Sequence, residues 1–226
     1  MNTAIETYLV TQGDLSAGRT TEEIVDGALA GGIDVVQVRE KHRTAAEQLA
    51  VARSLRGPTA EADAALIIND RVDIAAAVEA DGVHLGDDDL PIAVAREQLG
   101  EDAIIGRSVS TVEGAKAAEA DGADYLGVGA VYETGSKEDV DEDQQAIGLE
   151  VVEAIADAVE IPFVGIGGVT PERATEVVAR GADGVAVITA ITEAEDPEQA
   201  TRELASAVAE GKRKRGEQTT QVEGER

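Results

Sequence analysis

The sequence predicts an α/β fold, a single (β/α)8 TIM barrel, on three observations. Short runs rich in Val, Ile and Leu alternate with longer amphipathic segments rich in Ala and Glu, the pattern of β/α units around a parallel sheet covered on both faces. Four segments echo one another, LAGGIDVVQV, VEADGVHLG, AEADGADYLGVG and VARGADGVAV, each leaving a helix through glycine and entering a strand. With 226 residues and 43% apolar content, the chain has the size at which one such cylinder fills one core.

Taken in order, strands are predicted near Tyr8 to Thr11, Val35 to Val38, Ala65 to Ile68, Gly82 to Leu85, Ile104 to Gly106, Tyr125 to Val128, Pro162 to Gly165 and Gly184 to Val187. Helices fall between them, including Thr21 to Ala30, Ala45 to Leu55, Ile92 to Leu99, Val112 to Ala120, Leu149 to Val159, Pro171 to Ala179 and Glu198 to Ala209. The glycines of the echoed joints, Gly32, Gly82, Gly122 and Gly181, are expected to cap helices in the left-handed conformation. Each joint stands for about two β/α units, so four of them imply about eight strands and a closed barrel. An open doubly wound sheet would place a Gly-rich phosphate turn after the first strand, where this chain has TQGDLSAG. The Gly-rich turns come late instead, at Gly165 to Gly168 and around Ala186 to Ala190, where such barrels hold phosphate.

The domain is assigned to residues 1–211. The acidic run Glu138 to Gln145 reads as a loop over the barrel, and residues 212–226, charged and without apolar periodicity, read as a disordered tail.

The absence of cysteine excludes disulfides, thiolate metal sites and a cysteine nucleophile. No apolar run reaches membrane-spanning length, and the N-terminal segment has no signal-peptide pattern, so a cytoplasmic protein without membrane contact is expected. A formal charge of −27 at pH 7 repels nucleic acid and anionic lipid, and its spread along the helices implies a surface suited to high salt, halophilic in character. The sequence leaves the oligomeric state open, including a homo-oligomer. Lysine is so scarce that Lys41, Lys116 and Lys137 are the lysines before the tail, which draws attention to each.

Function in such a barrel is read at the carboxyl ends of the strands. There the chain places Gln37, Arg39 and Lys41, then Asn69 and Asp70, then Asp89, Ser108, and finally Thr134, Ser136 and Lys137. Three cations and two separated carboxylates suit a diphosphate carrying magnesium: Arg39 as a planar fork, Lys41 and Lys137 as point charges, Asp70 and Asp89 as metal ligands. Thr134, Ser136 and Ser108 add hydroxyl donors. Each residue alone also suits a plainer role, a surface ion pair for the charges or a turn and helix N-cap for Asn69 and Asp70. His42 and His84 read as structural, without a second histidine at ligand spacing.

The sequence resembles the thiamine-phosphate synthase family over roughly residues 7 to 192. The likeness is carried by QVREK at 37 to 41, NDR at 69 to 71, ADGVHLGDDDLP at 80 to 91, DYLGVGAVYETGSK at 124 to 137 and VGIGGV at 164 to 169. It implies that Gln37, Val38, Arg39, Glu40, Lys41 and Asn69 bind an aminopyrimidine diphosphate, that Asp70 and Asp89 hold one Mg2+, and that Ser108 and Lys137 contact the diphosphate or pyrimidine. Thr134, Gly135 and Ser136 would then meet the thiazole phosphate with Gly168, Ile188 and Thr189. Arg39, Lys41, Ser108 and Lys137 would be the catalytic set. The chain departs from the family pattern at Ala130 and Glu133, where proline is usual, and at Asp87, where glutamine is common.

The implied reaction is a transfer of a pyrimidinylmethyl group to the thiazole with loss of pyrophosphate, by a dissociative path that needs no nucleophile or strong base. Two other readings stand beside it. A thiazole tautomerase on the same barrel would leave Arg39, Lys41, Asp70, Asp89 and Lys137 unused. A non-catalytic sensor of a phosphorylated metabolite would use Gly168 and the last strand's loop without a magnesium pair.

Overall fold

Residues of β-propensity with both faces apolar form eight parallel strands, and these close on themselves. The computed structural model describes residues 5–134 and 146–224, with side chains described through residue 217. The strands are β1 (Thr7–Val10), β2 (Val35–Val38), β3 (Ala65–Asn69), β4 (Gly82–Leu85), β5 (Ile104–Val109), β6 (Tyr125–Gly129), β7 (Phe163–Ile166) and β8 (Gly184–Val187). Each pairs with the next, and β8 returns to β1 through Tyr8 opposite Ala186. The helices are α1 (Thr21–Ala30), α2 (Ala45–Glu61), α3 (Val72–Val78), α4 (Ile92–Leu99), α5 (Val112–Ala120), α6 (Gly148–Ala156), α7 (Pro171–Ala179), α8 (Thr189–Thr192) and α9 (Pro197–Gly224).

Period-two alternation divides the core in two. Tyr8, Val10, Val35, Ile67, Tyr125, Val164 and Ala186 fill the barrel interior. Their strand neighbours, such as Leu9, Val36, Leu66, Leu126 and Val185, pack outward against Val25, Leu55, Ile155, Val177 and Leu204 of the helices. Helix starts are locally encoded: Thr20 and Thr44 each form a capping box, with Glu23 and Glu47 respectively. Helix α2 runs past Pro58 to Glu61, beyond the predicted end at Leu55. The buried Thr59 hydroxyl donates to the Leu55 carbonyl at 2.9 Å and helps carry the turn that proline weakens.

The internal echo has a structural meaning that glycine alone does not convey. Each repeat carries an aspartate just before its strand, and its carboxylate accepts the N–H of the first or second residue of the preceding odd-numbered strand. The four bonds are Thr7 N to Asp34 at 2.8 Å, Leu66 N to Asp81 at 2.7 Å, Ile105 N to Asp124 at 2.7 Å and Phe163 N to Asp183 at 3.0 Å. They buckle the strands in pairs at the amino-terminal end of the barrel, opposite the end where barrels of this kind work.

Three of the four joint glycines are left-handed as predicted, with φ of +85° at Gly32, +91° at Gly122 and +115° at Gly181. Gly82 is the exception. There Glu79 takes the left-handed cap, at φ 52°, and Gly82 is needed because a Cβ would stand 1.8 Å from the Ile104 carbonyl oxygen.

The C-terminal segment departs from expectation as well. Residues 212–226 were predicted to be unstructured, yet α9 continues to Gly224. Gly211 sits against α7, where a Cβ would lie 2.7 Å from the Thr175 carbonyl oxygen. Lys212 pairs with Glu6 at 2.7 Å, and Arg215 donates to the carbonyl of Gly181 at 2.7 Å. These tertiary anchors, invisible to helical periodicity, hold the basic segment on the barrel. No helix among the described residues is long and apolar enough to cross a membrane.

Candidate active site

At the carboxyl end of β2 the pleat sorts the QVREK segment. Gln37, Arg39 and Lys41 line the barrel mouth, whereas Val38 joins the outer apolar layer. Glu40 also turns away from the mouth. Its buried carboxylate accepts from Thr11 Oγ1 and Thr21 Oγ1, both at 2.9 Å, and from Gly13 N at 3.1 Å, and it pairs with Arg43 Nε at 3.2 Å. Val38 and Glu40, expected to touch substrate, line a cavity of about 270 Å3 beside the mouth, together with Lys41, Asn69 and Asp70. Glu40 ties the loop after β1 to the end of β2.

Arg39 is itself buried, at 6% exposure, and is aimed by that loop. Its Nη1 donates to Gln12 Oε1 at 3.1 Å, and its backbone N–H donates to Thr11 Oγ1 at 3.1 Å. A cavity of about 430 Å3 opens beside it, lined also by Lys41, Asn69, Asp70, Asp89 and Ser108, so residues from four strand ends meet there. Lys41 Nζ lies 3.6 Å from Asp70 Oδ2.

Asp70 is held at φ 62°, in the left-handed region that non-glycine residues resist. Burial above all, and then the hydrogen bond and charge of Asp89, raise its carboxyl to about 6, against the pull of Lys41 and Arg39. Asp89 is fixed in turn by Gly86, whose N–H donates to its Oδ2 at 2.6 Å. Asp87, the departure beside this pair, is turned to Arg107 at 3.0 Å. No cluster of three or more residues able to hold a metal occurs among the described residues.

A second cavity, of about 170 Å3, lies over β7 and β8 and is lined by Thr134, Gly168, Arg173, Ile188 and Thr189. Gly168 has φ +63°, and a Cβ there would meet the Glu133 carbonyl oxygen at 2.7 Å. Arg173 Nη1 donates to the Gly168 carbonyl at 2.8 Å and adds a cation the sequence reading did not single out. Ile166 and Gly167 line both cavities, so the two share a wall. Gly135, Ser136 and Lys137, and the acidic run at 138 to 145, lie outside the described residues.

The sequence reading also missed a polar chain beneath the mouth. His84 Nδ1 lies 2.9 Å from Tyr125 Oη, and His84 Nε2 lies 2.9 Å from Ser108 Oγ. Tyr125 Oη is 2.7 Å from Tyr8 Oη, which accepts from Gln37 Nε2 at 2.8 Å. A usable signal was present: Tyr8, His84 and Tyr125 sit at inward positions of their strands. Glycine stands opposite, since a Cβ at Gly106 would lie 2.2 Å from the Tyr125 ring. His42, by contrast, faces solvent, 3.7 Å from Asp14.

The sequence model of the family described as thiamine monophosphate synthase matches residues 7–191. The chain belongs to the thiamine monophosphate synthase family. Relatives agree with the assignment. A thiamine-phosphate synthase of Haloarcula marismortui is 61% identical over 207 residues, covering 92% of this chain and 98% of that protein. One of Moorella thermoacetica is 50% identical over 207 residues, covering 92% and 97%. Among solved structures, a thiamine phosphate pyrophosphorylase from Pyrococcus furiosus superposes with a TM-score of 0.83 at 42% identity, covering 92% of this chain and 97% of that one. As a thiamine monophosphate synthase, the chain is a transferase of thiamine biosynthesis.

Proposed function

We propose that the larger cavity holds an aminopyrimidine diphosphate with one Mg2+, that the smaller holds a thiazole phosphate, and that the bond between them forms across the shared wall. The observation that carries this reading is the meeting of Arg39, Lys41, Asp70 and Asp89 around one cavity. A tautomerase or a phosphate sensor has no use for that set.

The carboxylate pair fits a hard divalent cation. Asp70 and Asp89 crowd two acids together, and burial with that neighbour pushes the Asp70 carboxyl up to about 6, the arrangement expected where a cation is the intended neutraliser. Magnesium takes one or two carboxylates and completes its shell with phosphate oxygens and water, so a third protein ligand is not needed. When bound, it would supply positive charge to the leaving diphosphate.

The chain's own residues do the rest. The C–O bond between the pyrimidine's methylene and the diphosphate breaks with its electron pair on oxygen, leaving a carbocation that the ring's amino group stabilises. Arg39, Lys41 and Lys137 balance the charge gathering on the diphosphate. The thiazole nitrogen then gives its lone pair to the methylene carbon, forming the C–N bond without net proton transfer. Gly168, Ile188 and Thr189 would anchor the thiazole phosphate, with Thr134, Gly135 and Ser136, and hold the ring in line. Mixing the protein with both substrates and magnesium should release pyrophosphate in step with thiamine phosphate. Release without the thiazole partner, or none with both, would refute the reading.

A further inference from the structure

Five side chains from five strands, Gln37, Tyr8, Tyr125, His84 and Ser108, form an unbroken hydrogen-bonded chain across the barrel. Its direction follows from counting protons. Each phenol has one to give, and burial above all keeps both phenols protonated by raising them beyond their ordinary range. Tyr8 accepts from the Gln37 amide nitrogen, a group with no lone pair to offer, so Tyr8 gives its own proton to Tyr125. Tyr125, which also meets the Gln37 amide, then has His84 Nδ1 as the acceptor left to it and donates there. An accepting Nδ1 places the imidazole proton on Nε2, which donates to Ser108 Oγ. Ser108 thus keeps its hydroxyl hydrogen for the cavity, and Gln37 keeps its carbonyl oxygen. Both residues line the small hollow at the barrel centre.

We propose that Tyr8, Tyr125 and His84 are positioning residues that set this one-way chain, presenting Gln37 as acceptor and Ser108 as donor to the bound ring. An aminopyrimidine, with an N–H donor and a bare ring nitrogen, matches that pair. Its oxo counterpart offers the reverse at the same edge. This selectivity rests on the synthase reading, whereas the direction of the chain does not.

Two measurements test it. His42 and His84 are the only histidines in the sequence, so 15N-histidine labelling of the full chain, with His42→Asn for assignment, isolates one imidazole. The spectrum of the ligand-free protein should show His84 protonated at Nε2 and bare at Nδ1. The opposite tautomer would mean that the chain runs from Ser108 to Gln37 and would overturn the proposal, whatever the activity. The second is a double-mutant cycle on the KM for the pyrimidine diphosphate. Tyr125→Phe should raise it about tenfold and mix the His84 tautomers, and its effect should be smaller in the Ser108→Ala background, where only the Gln37 end is left to lose. Additive losses would mark Tyr125 as merely structural and defeat the positioning role.

Discussion

Asp70 and Asp89 reach the mouth from successive β/α units and hydrogen-bond to each other, and burial with that neighbour pushes the first of them up to about 6. A carboxyl raised above its ordinary value of 3.8 binds its proton more tightly in the folded protein than in the unfolded chain. The stabilisation it brings is therefore complete below that value and is lost as pH rises through about 6. In metal-free protein, urea midpoints should fall over this range more in wild type than in Asp70→Asn. Magnesium with pyrophosphate engages the ionised pair, so its affinity, measured by calorimetry, should climb over the same interval; a flat profile would contradict the pairing.

Loss of one charge from the clamp should reduce turnover far more than stability. Asp70→Ala and Lys137→Ala are each expected to lower pyrophosphate release about a hundredfold. Wild-type turnover in either variant would remove that residue from the mechanism.

Glu40 has a different part. Removing its carboxylate strands Thr11, Thr21, Gly13 N–H and Arg43, all of which now converge on it. Glu40→Ala should cost about 2–3 kcal/mol in urea unfolding, the scale of a buried charged acceptor left out. It should also raise the KM for the pyrimidine diphosphate, because Thr11 aims the Arg39 backbone. Unchanged stability would show that the cluster is not under tension from its acid.

The formal charge of −27 predicts a salt requirement. Far-ultraviolet circular dichroism should report loss of helix as salt is lowered from molar levels toward about 10 mM, where charges repel over about 30 Å. Full ellipticity in dilute buffer would refute this.

The barrel was legible because its signals are local: alternating apolar runs set strands, and glycine at joints marks helix ends. The cations and acids of the mouth were legible because a parallel barrel sends every strand end to the same side. The Tyr8–Tyr125–His84 chain was not, since its partners lie on strands far apart in sequence and meet only when the cylinder closes. Periodicity placed residues 37–41 together but did not separate Arg39 from Glu40, whose opposite directions follow from the pleat. The helical continuation beyond Gly211 was hidden for a related reason, as its support comes from Gly181 and Glu6 rather than from its own pattern.

The four aspartate buckles each join an odd strand to the even strand after it, through partners 27, 15, 19 and 20 residues apart. The molecule is thus assembled from quarters that can each fasten early, with sealing of the ring left as the one distant step. New chain termini opened between quarters, for example in the loop between α4 and β5 of a circular permutant, would cut across no buckle, because Ile105 and Asp124 both follow that loop and stay on one segment. A break inside a quarter would separate an aspartate from the strand it fastens before either had folded.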